Sequence, residues 1–368
     1  MKIDLTYRKE TINGFSVRVL KSALQKYIRR NDFTKGGYAL LLLDIIDLEN
    51  NISAKRIRTN MINRLIVSMS EEVNIHEDLP VIFKDLYEKW CKNRTNISSR
   101  EYLFQMYKLL VDSKKSRIIS AIRTVYNLPE YYDNDFETLE FKHKLLHEKY
   151  NIDCLYGKIH DLTEFKNKLN NRDINCFADL SYLLKENPKI ITTIWKYLLT
   201  KKNVQINVLY YFYKKMTHKE KYLYLYHAIL LLIFKPKNKK VIIPEIDMNE
   251  IKEVKKFDDF VYDIHTGNKD KTVVDFALEG SIVLNEDKRF YNETFRNMYI
   301  DFKSFLIKNK IDLIIEKFGI KLKYIDDNKK IINLPHAQKL TGSYKKVVYV
   351  SNNKVYKGAY NKDDKLLL

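Results

Sequence analysis

Apolar residues return every three to four positions through most of this chain, the spacing that lays them along one face of a helix. Phe15, Val19, Ala23 and Tyr27 mark the first such stripe, which runs to Arg30. The stretch from Tyr38 to Leu48 is apolar enough to form a buried helix. Ser53 stands before Ala54-Lys-Arg-Ile57 and predicts the cap of a third helix reaching Val73. Asp78-Leu-Pro80 opens a fourth, through Cys91, and Ser98 with Glu101 has capping-box spacing ahead of Tyr102 to Leu110. Ser113 to Tyr126 closes this first group of helices.

Between Leu128 and Tyr150 the chain turns acidic and then basic, and Pro129-Glu-Tyr-Tyr-Asp-Asn-Asp135 predicts a surface connection. Helical stripes resume at Leu180 to Leu184, Ile190 to Leu199, Val204 to Met216 and Lys219 to Phe234. The last is apolar nearly all round and is expected at the centre of a bundle, ended by Pro236. After Ile251 the texture changes, with one or two helices over Glu293 to Phe318. Val347-Val-Tyr-Val-Ser351 alternates, Ser351-Asn-Asn353 supplies a turn, and Lys345 to Lys357 therefore predicts a terminal hairpin. The fold class is mainly α, a multi-helix bundle or array with a small α+β C-terminal region. The expected divisions are an N-terminal helical bundle over 1–128, a second helical domain over 137–240 and the α+β region over 251–368. A single continuous helical array is the alternative.

Composition changes this picture in two ways. A formal charge of +19, from 66 Lys plus Arg against 47 Asp plus Glu, favours a polyanion or an acidic protein as partner. Lys, Asn, Ile and Tyr are also abundant throughout, as an A+T-rich genome dictates, with only nine Gly and six Pro. Clustered arginines are the more informative cations, and they fall at Arg29, Arg30, Arg56, Arg58 and Arg64. Cys91, Cys154 and Cys176 lack the close spacing of a zinc cluster and suit a reducing compartment. With no run of 18 apolar residues and a polar Met1 to Glu10, the chain is expected to be soluble, without membrane association.

The N-terminal pattern resembles a known family. Ser22-Ala-Leu-Gln-Lys-Tyr-Ile-Arg-Arg-Asn-Asp32, then Gly37-Tyr-Ala-Leu40, then Ile57 to Val73 with Arg64-Leu-Ile-Val67 and Glu71-Glu-Val73, is similar to the helical collar-like region behind the ATPase core of clamp-loader-related replication-maintenance ATPases. The likeness spans about 60 residues, extending toward 100 with Leu79 to Lys89. Uncharacterised proteins of large DNA viruses look similar over the same stretch and near Asp263-Ile-His-Thr266 and Asp275 to Gly280. The resemblance implies a replication, repair or packaging setting and supplies no activity. No Gly-rich turn ending in Gly-Lys-Ser/Thr occurs, so a docking or oligomerising helical part without the motor is what it implies.

Candidate chemistry is sparse. Asp263 and His265 share one side of an extended strand, and Asp275 and Glu279 share a helix face. With Asp259 and Glu286 nearby, such a set suits a divalent metal for phosphodiester cleavage, or an acid–base pair. The structural reading is a turn held by His265 and Asp263. His143 and His147 lie one helical turn apart without the internal acid of a zinc hydrolase, and His227 reads as a hydrogen-bonded core residue. Glu71 and Glu72 are expected to receive charge from Arg64 or Lys84. Tyrosines interleave with lysines in Tyr211-Phe-Tyr-Lys-Lys215 and in the tail, where Lys345, Lys346, Tyr349, Lys354, Tyr356 and Lys357 suit base stacking beside phosphate neutralisation. A hairpin covering a hydrophobic edge is the bland account of that tail.

The functional expectation is a non-enzymatic nucleic-acid-associated or replication-complex protein of a large DNA virus, with no cofactor and no metal. Arg29, Arg30, Arg56 and Arg58 are expected on one accessible basic side, against DNA or an acidic protein partner, with a homo-oligomer also open. Host cytoplasm or a viral factory is the expected location, with virion and nucleus as alternatives. The competing readings are a metal-dependent nuclease using Asp263, His265, Asp275 and Glu279, and a structural protein-docking scaffold.

Overall fold

The computed structural model describes residues 2–6, 10–74, 78–126, 128, 149, 161–216, 220–234, 242–263, 266, 282–286, 293 and 297, and strands after residue 320. The chain forms two compact units: Met1–Phe257 with Ile282–Arg296, and Asp258–Ser281 with Asn297–Leu368. The first unit is mainly helical. Its chain begins with three short antiparallel strands, β1 (Ile3–Asp4), β2 (Thr11–Ile12) and β3 (Phe15–Ser16), in the order β1-β2-β3. Two-residue strands carry too short an alternation to be seen in the sequence.

Local chemistry sets the helix ends. Ser16 caps α1 (Val17–Arg30) by accepting from the Val19 amide, and Asn31 ends it in the left-handed region at φ 56°. Asp32 then caps α2 (Phe33–Leu43) by accepting from the Lys35 amide. That helix therefore starts before Tyr38 and stops at Asp44, and Ile46–Leu48 is a 3₁₀ turn rather than its last turn. Asn51, not Ser53, caps α3 (Ile52–Glu72), because its side chain reaches the amides of both Ser53 and Ala54. After α4 (Leu79–Lys92), Ser98 makes no side-chain capping bond to α5 (Ser99–Asp112), so the expected capping box does not form.

Packing joins the helices on both sides of the expected division at 128–137. α1 packs on α2, α3 and α5, and α4 packs on α5. Beyond α6 (Ile118–Val125) come α7 (Leu162–Asn170), which the periodicity had not revealed, α8 (Cys176–Glu186), α9 (Ile190–Leu199), α10 (Val204–Lys215) and α11 (Lys221–Phe234). α10 lies on α4 and α11, while α11 touches α3 and α6. Leu223 to Leu231 and Ile233 of α11 are all buried, which puts this helix in the core. The described helices of the expected 1–128 bundle and 137–240 domain fall within one compact unit.

Two contacts show how close this packing is. A Cβ on Gly36 would fall 1.7 Å from Tyr107 Oη, so α2 approaches α5 only with glycine there. His227 of α11 is fully buried, with Nδ1 2.9 Å from Ser70 Oγ of α3. Lys115, also fully buried, donates Nζ to the carbonyls of Leu110 at 2.8 Å, Val111 at 2.6 Å and Ser113, closing the end of α5. Burial lowers its pKa to about 7.

In the second unit, β4 (Lys321–Ile325), β5 (Ile331–Asn333), β6 (Val347–Ser351), β7 (Lys354–Tyr360) and β8 (Leu366–Leu367) form an antiparallel sheet in the order β5-β4-β6-β7-β8. The expected hairpin is β6–β7, with Ser351 opposite Lys354 and Tyr349 opposite Tyr356, and three further strands extend it. The helices expected over Glu293 to Phe318 lie, apart from residues 293 and 297, outside the described residues.

Burial holds the His227 pKa down to about 3, whereas the unfolded imidazole protonates near 6.5. Below 6.5 the unfolded chain binds more protons, so stability falls as pH drops toward 3. At pH 5 the difference amounts to about 2 kcal/mol. Urea titrations at pH 7 and 5 should show that loss shrink by most of this amount in His227→Gln. In the same assay Gly36→Ala is expected to cost about 1–3 kcal/mol at either pH, through overpacking against Tyr107.

Candidate nucleic-acid interface

The four arginines expected on one accessible side do not share it. Arg29 is 2% exposed, and its Nε and Nη2 donate to Glu72 Oε1 at 2.8 and 2.6 Å. The same oxygen accepts from Arg117 Nη1 at 2.7 Å and Gln25 Nε2 at 2.9 Å. Burial works to raise the Glu72 pKa, but the guanidinium groups of Arg117 and Arg29 outweigh it and hold the carboxyl down at about 2. Arg58 is 0% exposed. It donates to Asp44 Oδ1 at 2.9 Å, to Glu49, and to the Arg94 carbonyl at 2.9 Å, and it lies 5.5 Å from the Trp90 ring centroid. Arg94 also pairs with Glu49 at 2.5 Å, and Arg100 with Asp44 at 2.9 Å.

These pairs correct the sequence reading in a specific way. Arg29 and Arg58 are spent on buried carboxylates and are closed to phosphate. The charge on Glu72 comes from Arg29 and Arg117, not from Arg64 or Lys84. Arg64 Nη1 instead donates to Gln25 Oε1 at 3.3 Å, and Lys84 pairs with Glu88 at 2.9 Å. Arg30 is half-buried, with Nη1 3.2 Å from the Lys26 carbonyl, and Arg56 is exposed and paired with Glu10.

Asp263 is 4% exposed and serves a turn. Its Oδ1 accepts from the Thr266 amide at 3.1 Å, while Thr266 Oγ1 accepts from the Asp263 amide and donates to the Asp263 carbonyl, both at 2.8 Å. His265, Asp275 and Glu279 lie outside the described residues, as do Lys345 and Lys346. Among the described residues no group of three His, Cys, Asp or Glu side chains is placed to hold a metal. Tyr349, Lys354, Tyr356 and Lys357 lie on β6 and β7, with Val348 opposite Lys357.

The Tyr211–Lys215 segment is where lysines and rings meet. Lys214 Nζ sits 4.7 Å from the centroid of Tyr210, and Lys215 Nζ sits 4.6 Å from Tyr211 and 5.3 Å from Tyr87. Lys84 stands 4.9 Å from the same Tyr211 ring, and Lys221 5.6 Å from Tyr213. Tyr210 and Tyr213 stack 5.8 Å apart at 12°, backed by the buried Trp195 at 5.2 and 5.1 Å. α9 contributes a further ring, Tyr197, with Lys201 at 4.6 Å and Lys166 at 5.2 Å. The tyrosines are half-buried, and Lys201, Lys214 and Lys215 are exposed. Half-burial lets each ring pack on the core and still offer aromatic surface.

A signal for this surface was present in the sequence. From Pro188 to Lys219 there are seven lysines and no Asp or Glu, so these positive charges have no carboxylate on their own segment. Glu88 stands beside this face, and its hydrogen bond from Lys84 is the main cause of its lowered pKa, with Tyr211 and Lys215 acting in the same direction. Comparison with protein-family models, characterised proteins and solved structures gives no match.

Removing one member of a buried pair strands its partner's charge, which costs about 3–5 kcal/mol. Glu72→Gln should lose stability on that scale in chemical denaturation at pH 7. Because the folded pKa lies below the unfolded 4.5, the Glu72 contribution is complete above 4.5 and vanishes as pH falls through about 2. The wild-type and Glu72→Gln stabilities should therefore converge on acidification.

Proposed function

We propose that this chain is a non-enzymatic nucleic-acid-associated protein of a replication-type assembly, and that it holds single strands on the lysine–tyrosine face of α4, α9 and α10. The observation that carries this reading is the pair of exposed lysines, Lys214 and Lys215, lying on the half-buried rings of Tyr210 and Tyr211, on a segment free of carboxylates. The N-terminal resemblance to replication-maintenance ATPases supports the setting.

The chemistry is an exchange. A nucleobase approaching Tyr210 or Tyr211 takes the place of a lysine over the ring, and the displaced ammonium meets the phosphate that arrives with the base. Stacking of a base on an aromatic side chain contributes about 1–3 kcal/mol, against about 0.5–1 kcal/mol for an exposed cation–π contact. The exchange is favourable on those magnitudes, and the new ion pair adds to it. Every base has a π-face, so this surface reads strand character rather than sequence. Nothing in it requires a metal or a nucleophile.

Fluorescence anisotropy with labelled single-stranded oligonucleotides, repeated across salt concentrations, tests the proposal. Tyr211→Leu, which keeps the apolar bulk, should weaken binding about tenfold. Lys214→Gln with Lys215→Gln should reduce the slope of log K against log salt by about 1.4, from about 0.7 per phosphate contact on a single strand. Absence of wild-type binding at low salt, or a slope unchanged by the double substitution, would refute the interface.

A further inference from the structure

A cavity of about 130 Å³ lies between the first turn of α1 and the first half of α3, away from the lysine–tyrosine face. Arg18 and Lys21 line it from α1, one helical turn apart, and Arg56 and Asn60 from α3 at the same kind of spacing. Ser16 and Glu10 complete its polar wall. Arg64 follows Asn60 at the next turn of the α3 face, so cations accumulate along both helices toward this end.

The charges here do not balance. Glu10 is the one carboxylate lining the cavity, and it is paired with Arg56. Among the described residues, the Arg18 and Lys21 side chains have no ion pair or hydrogen bond. Arg29 and Arg58, on the same two helices, show what this chain does with cations that serve packing: each is enclosed by carboxylates. Arg18, by contrast, is exposed and Lys21 half-buried, and the acid that acts on Lys21 is Glu10, already paired with Arg56.

We propose that this cavity binds a phosphoryl dianion, held by Arg18, Lys21 and Arg56 with Asn60 as a neutral donor. Size admits the ligand: at about 30 Å³ per water, a space of about 130 Å³ accommodates one phosphoryl group with part of its hydration. Charge selects it, because Arg18, Lys21 and Arg56 share the single lining carboxylate Glu10, and one dianion neutralises the two positive charges left over. The crowding of like charge is felt at Lys21: burial and then Arg64 and Arg18 lower its pKa, against the opposing pull of Glu10. A bound dianion relieves that crowding. The phosphoryl group is either a free phosphate ion or the 5′-terminal phosphate of a strand, since both carry the same dianion on three exposed oxygens.

Calorimetric titration of the full chain with inorganic phosphate, at constant ionic strength in chloride, decides the matter. Wild-type protein should show saturable heat, Arg18→Gln and Lys21→Gln should each bind about tenfold more weakly, and Glu10→Gln should bind more tightly because a competing carboxylate is gone. Arg18 is exposed, so its replacement leaves the fold intact even if that of Lys21 does not. Lys214→Gln should leave phosphate affinity unchanged, which separates this site from the lysine–tyrosine face. Competition by a 5′-phosphorylated oligonucleotide but not its 5′-hydroxyl twin supports the strand end as the source; competition by neither, with phosphate still bound, supports the free ion. No saturable heat, or heat that Arg18→Gln and Glu10→Gln leave unchanged, overturns the proposal.

Discussion

A carboxylate taken fully out of water at position 72 has to be met by cations, and the N-terminal half of the helical unit is arranged to meet it. Each ion removed from water costs several kcal/mol, so the arrangement persists only where geometry repays that cost. Glu72 sits at the last turn of α3, Arg29 comes from the last turn of α1, and Arg117 from just before α6. One oxygen accepting four hydrogen bonds thereby sets how three separate segments end together. Asn74 continues the same junction, with its side-chain amide 3.1 Å from the Ser116 carbonyl.

Arginine and lysine have divided their work between the inside and the surface. Guanidinium groups are planar, weakly hydrated and able to serve several acceptors, so they are the cations this protein encloses with Asp44, Glu49 and Glu72. Ammonium groups are compact and strongly hydrated, and most of those described stay outside over tyrosine rings or in solvent. Lys26 and Lys115 are the buried lysines among the described residues, and Lys115 lies where the carbonyls ending α5 surround it. The partition bears directly on function, because arginine clusters count least toward a polyanion surface in a chain that uses them as internal ties.

Helical periodicity carried much of the fold into the sequence. α1, α3, α4, α5, α10 and α11 are long enough for their apolar stripes to repeat, and the all-round apolar α11 was identifiable as a core helix from that feature alone. Caps were less legible, since Asn51 and Ser53 are both good candidates and only backbone geometry decides between them. α7 was missed because Phe165 and Leu169 are its two buried residues, too few to make a stripe. The fates of Arg29 and Arg58 were hidden for a different reason. Glu72 is 43 residues from Arg29, and no local pattern reveals which carboxylate a cation will find across the core. The lysine–tyrosine face was partly legible at Tyr211 to Lys215, whereas Lys84 and Tyr87 join it only through the packing of α4 on α10.

Asp44 and Glu49 each serve two arginines: Asp44 pairs with Arg58 and Arg100, and Glu49 with Arg58 and Arg94. Trp90 carries Arg58 and Arg94 at 5.5 and 5.0 Å from its ring centroid. No member of this set can be exchanged alone without abandoning a charge or a ring face on its neighbours. Descent from this sequence would therefore keep these positions together or replace them together, by apolar residues of matching volume. Distant relatives of this protein would be better traced by such a block of linked positions, scattered from residue 44 to residue 100, than by any contiguous motif.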